Sequence, residues 1–400
     1  MKKWMTVCFV LLLTVTVCMS VGAANNTTGA CTWELDGTHL TISGNGKMEN
    51  YAFSCGPWGK DITAVTIEDG VTAIGNYAFF GCAALTSVTI PDSVTDIGEN
   101  AFEDCTALTA VTLPKGLERL ELRAFADCTA LQTVAIPNSV KVIGIAAFDN
   151  CDSLTEITIP EGVTTIEGGA FVGCDNLRRV SLPDSVTSIG EGAFRNVPAI
   201  FDKANRYQGV VYFGNHAIEH IDPDYEQIHI REGTKTIAAH AFDASNRLTA
   251  LAIPNSVAAI GTSAFSRCDH LQNVYYADNE TAKNGIQITR GNESLVNATW
   301  HYGVTKIPAA TTTAITTTMT TTTATTTTTT HTVDTTTATE PSVTTPSASL
   351  PSTPADVETN AENGIAKKRR SDGILMGVSI GAVCIISAVA LFFILRNRKK

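Results

Sequence analysis

Residues 85–107 read LTSVTIPDSVTDIGENAFEDCTA, and the next 23 residues, LTAVTLPKGLERLELRAFADCTA, repeat the pattern position for position. LQTVAIPNSVKVIGIAAFDNCDS, LTEITIPEGVTTIEGGAFVGCDN and LRRVSLPDSVTSIGEGAFRNVPA follow in the same frame. Working outward, residues 62–84 fit the frame on the amino-terminal side, and it returns at 225–247 and 248–270 after 25 irregular residues. The phase is rigid. Phe79, Phe102, Phe125, Phe148, Phe171 and Phe194 are each 23 apart, as are Phe242 and Phe265, so eight of fifteen phenylalanines occupy one column. A fixed period of this length is the signature of a stacked repeat architecture.

Each unit has a physical reading. Val88-Thr89-Ile90 alternates and is β-branched, which predicts a short strand with Val88 and Ile90 inward. Pro91 ends it, because proline has no N–H to continue a ladder. Val94 and Ile97 then point to the axis, and Gly98 allows a tight turn. Glu121 and Glu167 fill the Gly98 column in other units, so that turn does not demand φ > 0. Ala101 leaves room for Phe102. A single unit exposes half of its apolar surface, and only stacking buries it. At about 4.8 Å per strand, nine or ten coils make a rod about 50 Å long with a continuous phenylalanine spine.

The pattern Leu-x-x-Val-x-Ile-Pro-x-Ser-Val-x-x-Ile-Gly-x-x-Ala-Phe-x-x-Cys-x-x resembles the BspA-like (Treponema-type) leucine-rich repeat family over residues 62–275. The segment Cys31-Thr32-Trp33-Glu34-Leu35 through Leu40-Thr41-Ile42-Ser43-Gly44 to Pro57-Trp58 is similar to the cap that precedes such arrays in gut bacteria. The resemblance implies a right-handed leucine-rich repeat solenoid with a parallel β-sheet on one face. It also implies export to the surface of a Gram-positive gut bacterium, and binding or adhesion rather than catalysis. The implied partner is a protein or glycan on a host or neighbouring cell. Function carried over from a fold is analogy.

The rest of the chain divides around the array. Residues 1–23 read as a secretory signal peptide: Met1-Lys2-Lys3, an apolar run and small residues at Val21-Gly22-Ala23. An uncleaved signal anchor is the alternative. Residues 24–61 form the amino-terminal cap, 62–199 repeats, 200–224 an irregular insertion with a hairpin at Phe213-Gly214-Asn215-His216, and 225–305 repeats and a carboxy-terminal cap. Residues 306–372 are a Thr/Pro-rich stalk, with 24 threonines among the 46 residues 309–354. That composition cannot build a core and fits either an O-glycosylated stalk or an unmodified linker. Residues 373–395 contain 22 uncharged residues from Ile374 to Leu395, about 33 Å as a helix, enough to span a bilayer. Residues 396–400 then form a basic cytoplasmic tail, giving a single-pass type I surface protein. A wall-sorting signal competes, but Leu350-Pro351-Ser352-Thr353-Pro354 has proline where that motif needs glycine.

Charge excludes one large class of function. The chain carries −11 overall, 44% hydrophobic residues and a mean hydropathy of +0.10. Residues 25–366 hold 38 acidic against 18 basic side chains, a net of −20 that repels a phosphate backbone and excludes nucleic acid as a partner.

The candidate chemistry is sparse, and no cofactor is expected. Cys82, Cys105, Cys128, Cys151, Cys174 and Cys268 share a column without zinc-type spacing and read as small buried turn residues, although a disulfide chain is the competing reading. Cys31 and Cys55 lie outside the column and are a candidate disulfide. His216 and His220 fall in strand and turn rather than on one helix face, which argues against a metal pair. No nucleophile elbow or phosphate loop appears. The outward strand positions are small and mostly neutral, with Glu156, Arg178 and Arg179 as local charges. Aromatic anchors for a ligand are sought instead at Tyr207, Tyr212, Tyr275 and Tyr276.

Overall fold

The phenylalanine column fixes the architecture. In the computed structural model, which describes residues 26–222 and 224–308, all eight column phenylalanines are at most 1% exposed. From Phe79 to Phe194 consecutive rings lie 5.0–5.7 Å apart with interplanar angles of 3–18°, and Phe242 stacks on Phe265 at 4.8 Å. One ring per coil means that the ring separation is the coil separation. The alanine before each ring is also buried, because a larger side chain there would push the ring off its neighbour.

Backbone pairing follows the same period. Thr133–Ala135 runs parallel to Ala110–Thr112, and Arg179–Ser181 to Glu156–Thr158, each 23 residues on. The sequence predicts one sheet; the coils build two parallel ribbons. The second comes from the Val94–Ile97 segment of each unit, as in Arg119–Leu120, Val142–Ile143, Thr165–Ile166 and Ser188–Ile189. About eleven turns result, more than the nine or ten expected, because both caps join the ribbons. His39–Gly44 of the amino-terminal cap pairs with Ala64–Ile67 at an offset of 25, and Thr299–Tyr302 pairs with Asn273–Tyr276 at an offset of 26.

Tight turns close each coil at two left-handed positions. One column holds Tyr77, Asn100, Arg123, Ala146, His240 and Ser263, and the other holds Asp104, Asp127, Asn150, Asn196, Ala244 and Arg267, all with positive φ. Asn and Asp tolerate this region better than most residues. Gly98 serves a different purpose: a Cβ there would lie 2.6 Å from the amide nitrogen of Asn76 on the preceding coil. Close approach of coils, not backbone handedness, favours glycine in that column.

The insertion does not interrupt the core. Val210–Phe213 and His216–His220 form the expected antiparallel hairpin, and the second strand pairs parallel with Thr236–Ile237. Phe213 meets Phe194 edge-to-face at 5.2 Å, and His220 stacks on Phe242 at 5.4 Å. The hairpin therefore supplies rings where the repeat lacks them.

Among the described residues no helix is long and apolar enough to cross a membrane. The expected signal peptide, stalk, span Ile374–Leu395 and basic tail lie outside the described residues, save the first few positions of the stalk.

Phe148 sits between Phe125 and Phe171. Phe148→Ala removes both contacts and should destabilise by ~3–5 kcal/mol, read as a lower melting temperature and denaturation midpoint. Melting unchanged from wild type would contradict a spine that carries the stability.

Candidate interaction surfaces

The outer ribbon presents its predicted face to solvent in the first half of the array. Ser87, Thr89, Ala110, Thr112, Thr133, Ala135, Glu156, Thr158, Arg179 and Ser181 are all exposed. Its most chemically varied point is its last regular strand. Arg179 Nε donates to Glu156 at 3.0 Å. Both side chains are more than half exposed, so the pair adds little stability and leaves charge available to a partner.

The insertion overhangs this strand. Two short 3₁₀ turns, Pro198–Phe201 and Lys203–Asn205, are fixed by Asp202, which accepts from the Ala204 amide, and by Asn205 Nδ2, which donates to the Ala199 carbonyl. Glu156, Arg178, Arg179, Asp202 and Asn205 then line one open groove of about 390 Å³. Three sequence-predicted residues thus converge, joined by two polar residues that the repeat pattern does not single out.

The predicted tyrosines do not converge. Tyr207 is exposed (42%) but lies outside that groove. Tyr212 and Tyr276 are only 2% exposed and are corrected from candidate ligand contacts to core residues. The Tyr212 hydroxyl accepts from the Arg231 amide, the Arg231 guanidinium covers its ring at 4.4 Å, and burial pushes its phenol up to about 12. Tyr276 alternates inward on its strand. Tyr275 faces outward, half-buried, and stacks on His301 at 4.6 Å. The outer face is largely closed here. Ala250 and Ala252 are buried, unlike Ala110 and Ala135. The chain after Tyr302 turns back across the ribbon until the Ile307 amide donates to His229 Nε2 at 3.2 Å.

Sequence reasoning missed an aromatic patch at the amino-terminal end. The cap spells Asn50-Tyr51-Ala52-Phe53 as the first repeat spells Asn76-Tyr77-Ala78-Phe79, which would place Phe53 in the spine. Trp58 takes that place, 5% exposed and stacked on Phe79 at 5.4 Å. Phe53 is displaced to 78% exposure and lies 5.2 Å from Tyr77, which meets Phe80 at 5.6 Å. The signal was two aromatic residues, Phe53 and Trp58, competing for one column position.

The profile of the BspA-type leucine-rich repeat region matches six copies, over residues 46–177, 142–272 and 211–331. The chain belongs to the BspA-type leucine-rich repeat family. Three solved structures are similar to it. A leucine-rich repeat protein from Bacteroides ovatus is 23% identical, covering 68% of this chain and 76% of that one, with a TM-score of 0.37. The T. pallidum leucine-rich repeat protein is 24% identical, covering 64% and 91%, with a TM-score of 0.34. A leucine-rich cell surface protein from Faecalibacterium prausnitzii is 26% identical, covering 65% and 97%, with a TM-score of 0.22. No curated protein matches the chain.

In this BspA-type array the cysteine column stitches coils together. The thiols of Cys105, Cys128, Cys151, Cys174 and Cys268 donate to the carbonyls of Phe79, Phe102, Phe125, Phe148 and Phe242, at 3.1–3.3 Å. All eight described cysteines are free. The candidate Cys31–Cys55 bridge is not formed, because Cys31 Sγ turns to the Gly46 carbonyl while Cys55 lies beside the Cys82 thiol. His216 donates to the Pro183 carbonyl and His220 pairs with Ser245 Oγ; burial holds both imidazoles below their usual pKa. Among the described residues no group of three potential ligands could hold a metal ion.

Burial raises the column thiols, to about 12 for Cys82 and Cys174 and about 11 for Cys268. Below the ordinary thiol pKa of about 8.5 they are neutral in both states and their contribution is fully present. As pH climbs toward the folded values the unfolded chain loses protons that the folded chain keeps, so stability falls. We expect melting temperature to drop progressively above about pH 9. Among the described thiols only the half-buried Cys55 should be alkylated in the native protein at pH 8. Rapid native labelling of Cys128 would contradict the buried column.

Proposed function

We propose that this chain is a non-enzymatic, membrane-anchored cell-surface binding protein, whose solenoid engages a protein or glycan on a host or neighbouring cell. The observation that carries this reading is the division of labour in the fold. The interior is filled by a repeated apolar lining, while the small, mostly neutral outer strand row gains charged side chains at the groove where Glu156, Arg178 and Arg179 meet the insertion. A surface built from rigid stacked coils, with loops added at one point, suits recognition of an extended partner. The signal peptide and apolar span read from the sequence, and the name of the Faecalibacterium prausnitzii relative, support a surface location. The Thr-rich segment would hold the array away from the bilayer.

A structural envelope spacer is the competing assignment, and a surface hydrolase or hydrolase scaffold is the third. Binding of the full-length protein to mucus glycoproteins, matrix proteins and host cells separates the first two. We expect saturable binding, reduced about tenfold by the Arg178→Glu/Arg179→Glu double variant, with melting unchanged because both side chains are exposed. Uniform absence of saturable binding would favour the spacer. Turnover of a polysaccharide or peptide panel would replace the binding assignment with the hydrolase.

A further inference from the structure

The displaced Phe53 is not a casual surface residue. It sits at a left-handed turn position, φ 55°, like Tyr77 on the next coil, and leaves 78% of its surface to solvent. Tyr77 and Phe80 continue the patch, each half-buried. The protein's own Lys60 ammonium lies over the Phe80 ring, 5.5 Å from its centroid, so this cluster already attracts one cation. Phe53 and Tyr77 have no such cover among the described residues.

The charge around the patch is acidic. The Tyr77 amide donates to the Glu99 carbonyl at 2.9 Å and the Gly81 amide to the Glu103 carbonyl at 2.8 Å, so both acids border the patch. Burial and then their carboxylates push the Tyr77 phenol up. Asp104 is raised by burial and then by Asp127 and Glu103. Arg123 and Lys60 are the local counter-charges: Arg123 is committed to Glu103, Asp127 and Asp149 at 2.6–2.9 Å, and Lys60 lies over Phe80 and acts on Asp104. Glu99 is exposed, and neither it nor Asp104 forms an ion pair with another described residue. The acidic row continues onto later coils through Asp127, Asp152 and Asp175, whose mutual repulsion contributes to raising Asp152. A lone ammonium headgroup would use only the rings; a row crossing several coils fits an extended chain bearing several cations.

We propose that Phe53, Tyr77 and Phe80, with Glu99 and Asp104, form a docking surface for a basic peptide segment of a partner protein, one Lys or Arg of which lies against the open face of Phe53. Aromatic faces attract ammonium and guanidinium groups, and neighbouring carboxylates strengthen and steer that contact. The proposal rests on the reading of the chain as a binding protein, and gives it a second contact point at the opposite end of the regular array from the Arg178 groove.

Fluorescence anisotropy of labelled octalysine with the full-length protein tests it, with phosphocholine as competitor. Because the exterior is acidic throughout, binding alone is not the readout; its dependence on Phe53 is. We expect Phe53→Ala to weaken octalysine about five- to tenfold and Glu99→Gln about threefold, with unchanged melting, while Phe53→Tyr retains binding. Wild-type affinity in Phe53→Ala overturns the proposal, as does displacement by phosphocholine at concentrations equal to octalysine. If Phe53→Ala is without effect while the protein still adheres to cells, the docking surface falls and the binding function stands. If octalysine binding depends on Phe53 but no cell or matrix ligand is bound, the docking surface stands and the adhesion reading falls.

Discussion

The repeat array is spaced by the contact distance between two aromatic rings. Once Phe102 stacks on Phe79 and Phe125 on Phe102, each coil must advance by 5.0–5.2 Å, close to the ~4.8 Å that hydrogen-bonded strands prefer. Side-chain stacking and backbone pairing therefore demand nearly the same translation. The rest of the unit adapts to that coincidence. Alanine precedes each ring, glycine favours close approach in the Gly98 column, and the thiol of one coil reaches the phenylalanine carbonyl of the coil before it. The amides of six of the eight ring residues donate to the alanine carbonyl of the next coil, as Phe148 does to Ala170 at 2.8 Å, and that of Phe265 donates to Asn292 Oδ1. Most ring-residue amides are thus paired along the axis, while the Trp58 Nε1 and His220 Nε2 atoms lie buried without a partner among the described residues.

The same constraint explains how the array survives its irregular segments. Phe194 and Phe242 are 48 residues apart, two repeat lengths plus two. A simple gap in the column would leave Phe194 and Phe242 each with an open face inside the core. The hairpin instead presents Phe213 to one and His220 to the other. His220 is usable there because its Nδ1 reaches Ser245, the residue that stands where most coils have cysteine. A substitution in one column is thus coupled to a substitution in the next.

The sequence made the columns legible because one geometry is repeated many times, and a period of 23 with inward Val, Ile, Leu, Ala and Phe has one physical solution. It hid what depends on competition at a single place. Nothing in the local pattern of Asn50-Tyr51-Ala52-Phe53 says that Trp58 will take the spine position, since both residues suit it. Tyr212 was misassigned for a related reason. It lies in the insertion, where period does not say which face is inward, whereas Tyr276 pairs with Ile253 one repeat earlier, so the period itself assigns it to the inward column. Arg178 and Arg179 were found because they break a row of small neutral residues, whereas Asp202 and Asn205 share no column with them and meet them only through the path of the insertion.

Where the array can vary without breaking the stack is therefore where recognition can be added. Substitutions inside the coil are limited to residues that preserve a translation of about 5 Å, but the ends and the insertion have freedom because each has a coil face or strand edge that the repeat does not fill. At the amino-terminal end that freedom brings in Trp58 and leaves Phe53 outside; at the insertion it sets Asp202 and Asn205 against the last regular strand. An array that conserved its stack at every position would be a featureless rod. The two irregularities supply chemical contrast that the regular coils lack.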